Sequence, residues 1–183
     1  MEPITERATL ISGSPSPTSK SRSLLERARH QLEGAGFDTT LADLHTLPAV
    51  ALLGRQGDDR VAELIHQVLG SRIVVASSPV YRATYSGLLK VFFDLLPQDA
   101  LEGKIGVPIL TGGSQAHLLA LDYGLRPLLA SVGAAVVCTG VYGHDGQFRS
   151  GSPDTSLLER VDRAVDEAVA LARAAQHSET HQT

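Results

Sequence analysis

The sequence predicts an α/β fold: a doubly wound parallel sheet of five strands in the order 2-1-3-4-5, with helices on both faces. Three observations predict it. Short apolar runs recur along the chain, and Ile73-Val74-Val75-Ala76 is the clearest, because β-branched residues pack well on a pleated surface. Between these runs lie stretches whose apolar residues recur at helical spacing. The two kinds of segment alternate along the chain, and that alternation implies a parallel sheet covered on both sides. A length of 183 residues suits one domain, read here as residues 1–176 followed by a polar tail at 177–183.

Each element has its own signal. Residues 8–13 form a short apolar run ending in Gly13, read as the first strand. Residues 21–32 carry Leu24, Leu25, Ala28 and Leu32 on one helical face, and Gly34 and Gly36 stop the helix. Residues 38–44 alternate weakly and read as the second strand. Residues 44–59, with Pro48, Gly54 and Gly57, read as a loop. Val61, Leu64, Ile65 and Val68 give residues 60–69 a helical stripe. The strand at 73–76 leads into a polar loop at 77–85 holding Pro79. Residues 86–96 read as a helix that must end before Pro97. A strand at 105–110, a long helix at 115–132 and a strand at 134–141 follow. Residues 142–153 are a Gly-rich, mobile connection. Leu158, Val161, Val165 and Val169 mark the last helix, residues 157–175.

Composition narrows the function classes. Apolar residues are 43% and charged residues 20%, an ordinary globular balance. A net charge of −4 gives no nucleic-acid footprint. No apolar run is long enough for a membrane span. Residues 1–7 are polar and acidic, unlike a secretory signal. The one cysteine, Cys138, excludes an internal disulfide and reads as inert core in mid-strand. A reducing cytoplasm fits these features.

In a doubly wound sheet, ligands bind outside the carboxyl ends of the strands. Three loops are expected there. Residues 13–23, Gly13-Ser14-Pro15-Ser16-Pro17-Thr18-Ser19-Lys20-Ser21-Arg22-Ser23, join the first strand to a helix N-terminus. Free N–H groups there attract an anion, hydroxyls add donors, and Lys20 and Arg22 add charge. The loop matches neither a dinucleotide-binding glycine pattern nor a Walker A sequence. A plain polar loop with a serine N-cap explains it equally well. The second loop holds Tyr81 and Tyr85, in a chain with four Tyr and four Phe. These could wall a planar ring; on composition alone, covering the core edge is the better reading. The third, Thr111-Gly112-Gly113-Ser114-Gln115-Ala116-His117, has paired glycines that permit close backbone approach. His117 on its own reads as a surface or interface histidine. Together the loops make a phosphate cradle with two walls for a planar ring, a conjunction that favours a mononucleotide flavin.

The residues that carry a family likeness span the chain from Ala8 to Tyr142. They are Ser12-Gly13-Ser14-Pro15 with Ser19, Ser21 and Leu24-Leu25; Pro79-Val80-Tyr81 with Tyr85-Ser86-Gly87-Leu88-Leu89-Lys90; Asp94-Leu95-Leu96-Pro97; Leu101-Glu102-Gly103-Lys104; and Thr111-Gly112-Gly113 with Ala116-His117-Leu118-Leu119-Ala120 and Asp122-Tyr123. In these the chain resembles the flavodoxin-like NADPH-dependent FMN reductases, above all the reductase component of two-component alkanesulfonate monooxygenase systems. The resemblance implies FMN, as substrate or loosely bound, and NADPH. It places Ser14, Ser16, Ser19 and Ser21 at the flavin phosphate. Pro79, Val80, Tyr81 and Gly87 fall beside the isoalloxazine, and Thr111, Gly112, Gly113 and His117 at its second wall. Many members carry Arg at the position of Ser16; here Lys20 or Arg22 supplies that charge, or FMN is held more loosely.

Leu125-Arg126 also arrives one residue later than in simpler members, as an insertion near Tyr123 would produce. A helix commonly absorbs one extra residue as a π-bulge. Pro127 points the same way, since it has no N–H for the Tyr123 carbonyl. In the relatives such a tyrosine accompanies a subunit interface beside the flavin and the use of FMN as a substrate. A plain proline kink with Tyr123 in the core is the alternative.

The resulting expectation is an NAD(P)H:FMN oxidoreductase that passes hydride from nicotinamide C4 to flavin N5 and supplies reduced flavin to a partner monooxygenase. Backbone N–H groups at Tyr81 and Gly113 would polarise the flavin's pyrimidine edge. Arg82 is the candidate for the NADPH 2′-phosphate. No metal site and no catalytic triad is evident. Apolar residues in excess of one helix face, among them Leu88, Val91, Leu118, Leu119 and Leu121, imply a homodimer or homotetramer. An FMN-prosthetic quinone, azo or metal reductase and a flavodoxin-like electron carrier are the alternatives.

Overall fold

The computed structural model describes residues 6–180, with side chains described to residue 175. The expectations for the first five residues and for residues 181–183 lie outside the described residues. Strands β1 (Arg7–Ser12), β2 (Asp38–Asp43) and β3 (Ile73–Tyr81) are parallel, with β1 in the middle. Strand β5 (Ile105–Gly112) pairs with β3, and on its far side lie two short parallel strands, β6 (Val136–Val137) and β7 (Val141–His144). Taking β6 and β7 as one interrupted strand, the order is the expected 2-1-3-4-5.

Alternation along each strand divides the core into two. Leu10, Ile73, Val75 and Ile109 face helices α1 (Lys20–Gly34) and α6 (Thr155–Thr180). Ile11, Val74, Ala76 and Leu110 face the opposite layer. That layer contains α2 (Ala49–Leu52), α3 (Asp59–Leu69), α4 (Gly87–Phe93) and α5 (Arg126–Ser131). In α1 the residues at helical spacing, Leu24, Leu25, Ala28 and Leu32, are all fully buried. Arg27 pairs with Asp162 through two hydrogen bonds, at 2.7 and 2.6 Å, and links α1 to α6. No helix among the described residues is long and apolar enough to cross a membrane.

Six expectations need correction. Residues 77–85 are not a loop: β3 continues to Tyr81, and a two-residue reversal at Arg82-Ala83 returns the chain as strand β4 (Thr84–Tyr85). Arg82 and Ala83 have φ of 50° and 72°, the left-handed pair that a tight hairpin turn demands. Neither is Gly or Asn, so the turn carried no sequence signal. The long helix at 115–132 is broken into a 3-10 turn at Gln115–Leu118, a π-helical turn at Leu121–Leu125, and α5. The strand expected at 134–141 starts at Val136 and is interrupted at residues 138–140; Leu121 packs against Gly140 there, where a Cβ would lie 2.4 Å from it. Residues 44–59 contain a 3-10 turn and α2, because Ala51 and Leu52 bury against the core. Residues 142–153 include β7's end, a 3-10 turn and the hairpin of β8 (Phe148–Arg149) with β9 (Ser152–Pro153). Helix α6 also runs on to Thr180, into the stretch expected as a tail.

Cys138 is fully buried, and its N–H reaches the Gly106 carbonyl at 2.9 Å. Burial, with the negative Glu167 as a smaller contribution, pushes its thiol from an ordinary 9.0 up to about 12. The folded chain therefore favours the protonated thiol. That contribution to stability is complete below about pH 9 and is lost as pH rises toward 12. Urea midpoints should fall between pH 9 and 11 in the parent, and less steeply in Cys138→Ala; equal slopes would contradict this reading.

Candidate functional site

Strand order brings the three expected loops together. Ser12 pairs with Ser77 across β1 and β3, and Pro79 with Thr111 across β3 and β5. The three segments leaving these strands therefore lie side by side at the carboxyl edge. On the far side Gly112 pairs with His144, which delivers the next residue, Asp145, to the same edge.

The first loop folds on its own hydroxyls. Ser14 is fully buried and its Oγ accepts the Ser16 N–H at 3.1 Å. Ser19 is the N-cap of α1: its Oγ accepts the Arg22 N–H at 3.1 Å and lies 3.1 Å from the buried Ser21 hydroxyl. An α-helix leaves its remaining first-turn N–H groups to partners outside it. The two loop cations part company. Burial disfavours the Arg22 guanidinium, but bonds to Asp43 at 2.8 Å and Glu26 at 2.5 Å outweigh that and raise it above its ordinary range. Its charge is thus committed to two carboxylates. Lys20 instead reaches across the edge to Asp145, 2.8 Å away.

The second and third segments supply the walls. Pro79 and Val80 are half-buried, Tyr81 is 49% exposed, and Arg82 is exposed on the hairpin tip. Gly87, exposed, opens α4. Thr111 is buried, while Gly113 has open space where a Cβ would stand. At Gly112 a Cβ would meet the Tyr142 hydroxyl at 2.5 Å, so only glycine fits. His117 is exposed on the 3-10 turn, with Nδ1 3.3 Å from that same point.

A cleft of about 190 Å³ results, lined by Ser19, Lys20, Pro79, Val80, Tyr81, Thr111, Gly112, Gly113 and Asp145. Larger concavities lie elsewhere. One of about 400 Å³ runs along β2 and α3, and one of about 740 Å³ surrounds Arg7 and Asp38 at the opposite end of the sheet. Neither combines a helix N-terminus with accessible glycine backbone. A third, of about 360 Å³, sets Gly54 and Gly57 beside the start of α3, but none of the three loops lines it. The smaller cleft combines both features with those loops, and its donor chemistry fits a phosphate at one end and a flat ring at the other.

Three further residues build the site. Ser86 is buried where the first two loops meet. Its hydroxyl donates to the Gly13 carbonyl at 2.5 Å and accepts the Leu89 N–H at 3.1 Å, capping α4. Its own N–H donates to Ser78 Oγ at 2.9 Å. Its position just before an apolar helical run was a readable N-cap signal. Tyr142, buried, donates its hydroxyl to the Ser114 carbonyl at 2.5 Å and so braces the third loop. Burial, then the charge of Asp145, raises its pKa and keeps it a donor. Nothing in the sequence announced Tyr142 or Asp145, because both depend on the β5–β7 register.

The π-helical turn stands next to the second loop. Gly124 faces β4 so closely that a Cβ would sit 2.4 Å from the Thr84 hydroxyl. Tyr123, beside it, is 81% exposed, so it is not a core residue of the single chain.

Ser86→Ala should remove the α4 cap and strand the Gly13 carbonyl and the Leu89 N–H, costing about 2 kcal/mol. Urea unfolding measures this; a loss under ~0.5 kcal/mol would show that Ser86 is not the junction described.

The chain is similar to known flavin reductases in sequence and fold. The family described as NADPH-dependent FMN reductase matches residues 7–148. An FMN reductase (NADPH) of Pseudomonas putida is 37% identical over 171 residues, covering 89% of this chain and 87% of its own length. An FMN reductase (NADPH) of Escherichia coli is 39% identical over 142 residues, covering 77% and 74%. An NADH-dependent FMN reductase of Pseudomonas putida, SfnF, is 30% identical over 166 residues, covering 87% and 89%. Among solved structures, the apo form of the NADH:FMN oxidoreductase EMOB superposes with a TM-score of 0.82 at 36% identity, covering 91% and 89%. The chain belongs to the NADPH-dependent FMN reductase family.

Proposed function

We propose that this chain, an NAD(P)H-dependent FMN reductase, takes up FMN as an exchangeable substrate and releases it reduced to a partner monooxygenase. The observation that carries the reading is the cleft at the carboxyl edge, with the start of α1 at one end and the Pro79–Tyr81 and Thr111–Gly113 backbones at the other. In this reading the Ser14, Ser16, Ser19 and Ser21 segment holds the phosphate through hydroxyls and first-turn N–H groups. Pro79, Val80, Tyr81 and Gly87 flank one side of the ring; Thr111, Gly112, Gly113 and His117 flank the other. FMN, when bound, supplies the acceptor for hydride from the nicotinamide. The chain's own work is positioning: N–H groups at Tyr81 and Gly113 face the edge that gains negative charge, and Arg82 on the hairpin tip meets the NADPH 2′-phosphate.

Exchange of FMN fits a shallow cleft whose one lining cation, Lys20, is already engaged by Asp145. A partner that consumes reduced flavin is consistent with a loosely held one. Assembly into a homodimer or homotetramer is supported by the exposed apolar side chains around the π-helical turn, Leu118 at 38%, Leu119 at 61% and Tyr123 at 81%.

Dialysed protein should be colourless and oxidise NADPH only when FMN is added. Tyr123→Ala should fold normally yet show a smaller mass by light scattering. A protein that stays yellow and reduces quinones without added FMN would favour a prosthetic flavin instead.

A further inference from the structure

The cleft contains one cation and one anion among its lining residues, Lys20 and Asp145, and they are bound to each other at 2.8 Å. The two halves of this pair differ in freedom. Lys20 is the first residue of α1, on a long side chain, with Nζ also 5.4 Å from the centre of the Phe148 ring. Asp145 sits on a braced turn. The Gly146 N–H donates to His144 Nδ1 at 3.2 Å, and the Asp154 N–H donates to the Gln147 carbonyl at 2.8 Å. Gln147 Oε1 further accepts Arg160 Nη2 at 2.9 Å. The backbone that carries the carboxylate is therefore braced, while the ammonium sits on the longer and more flexible stem. Arg22 offers no substitute, since Asp43 and Glu26 hold its guanidinium.

A dianionic phosphate arriving at the start of α1 meets this pair. It must draw Lys20 away from Asp145 or settle beside a pair with no net charge. In either case a carboxylate lies on the same cleft. We propose that Asp145 is a specificity-determining residue that competes with the ligand's phosphate for Lys20 and thereby keeps FMN exchangeable. The proposal rests on the FMN reading of the cleft. It assigns the weakness of binding to one residue on the turn after β7 rather than to the serine loop.

The role is specific to the phosphate, which gives a clean comparison. Riboflavin shares the ring and lacks the phosphate. Kd values for both are measured by quenching of flavin fluorescence, on parent, Asp145→Asn and Lys20→Met. Asp145→Asn should bind FMN about tenfold tighter, the order of one unscreened like-charge contact at a protein surface. Its riboflavin Kd should change by less than about twofold, which also reports an intact ring site. Lys20→Met should weaken FMN and leave riboflavin unchanged. Unchanged or weakened FMN binding in Asp145→Asn overturns the proposal while the FMN reading stands. Equal tightening of both flavins overturns it too, because the phosphate would then play no part. If the parent binds neither flavin, the FMN reading falls and the proposal with it.

Discussion

The buried hydroxyl of Ser86 fixes the relation between the first two loops, and the remainder of the site is arranged around that relation. One oxygen donates to the Gly13 carbonyl and accepts the Leu89 N–H. Buried polar groups left without partners cost more than an average hydrogen bond returns, so each loop is confined to the position that satisfies the others. A second tie, from Ser77 Oγ to the Ser21 carbonyl at 2.9 Å, holds the first turn of α1 to β3. A third, from Tyr142 to the Ser114 carbonyl, holds the glycine loop to β7. Three side-chain hydroxyls thus convert adjacent strand ends into one cleft without a charged group in the framework.

Charge is used sparingly where the ligand would sit. Arg22 is tied to the second strand through Asp43, and Lys20 to the opposite wall through Asp145. In the proposed reading a phosphate would meet helix N–H groups and hydroxyls, with the nearest cation already engaged by Asp145. The π-helical turn touches the same site from outside the cleft. Its Gly124 packs on the hairpin that carries Arg82, while its Tyr123 projects away from the single chain. A subunit packed on Tyr123 would press on the hairpin that follows Tyr81, so that assembly and flavin binding would share a boundary.

The sheet was legible because its signals are local. Ile73 to Ala76 and Ile105 to Leu110 are apolar wherever the chain places them, and Leu24, Leu25, Ala28 and Leu32 mark their helix by spacing alone. The irregular turn near Tyr123 was legible for a local reason as well, the missing N–H of Pro127. What escaped was set by tertiary contact. Arg82 and Ala83 take a hairpin conformation that neither favours, and the paired strands impose it. The fifth strand is interrupted at residues 138–140, where Leu121 from a distant turn packs on Gly140. Asp145 reaches the cleft through a register between two strands far apart in sequence, which no window of residues contains.

A crystal structure of the chain with FMN tests the account most directly. It should show the phosphate within hydrogen-bonding reach of the N–H groups at the start of α1 and the Ser19 hydroxyl, with the ring between Tyr81 and Gly113. FMN seated instead in the larger concavity along β2 and α3, with the serine loop untouched, would contradict it.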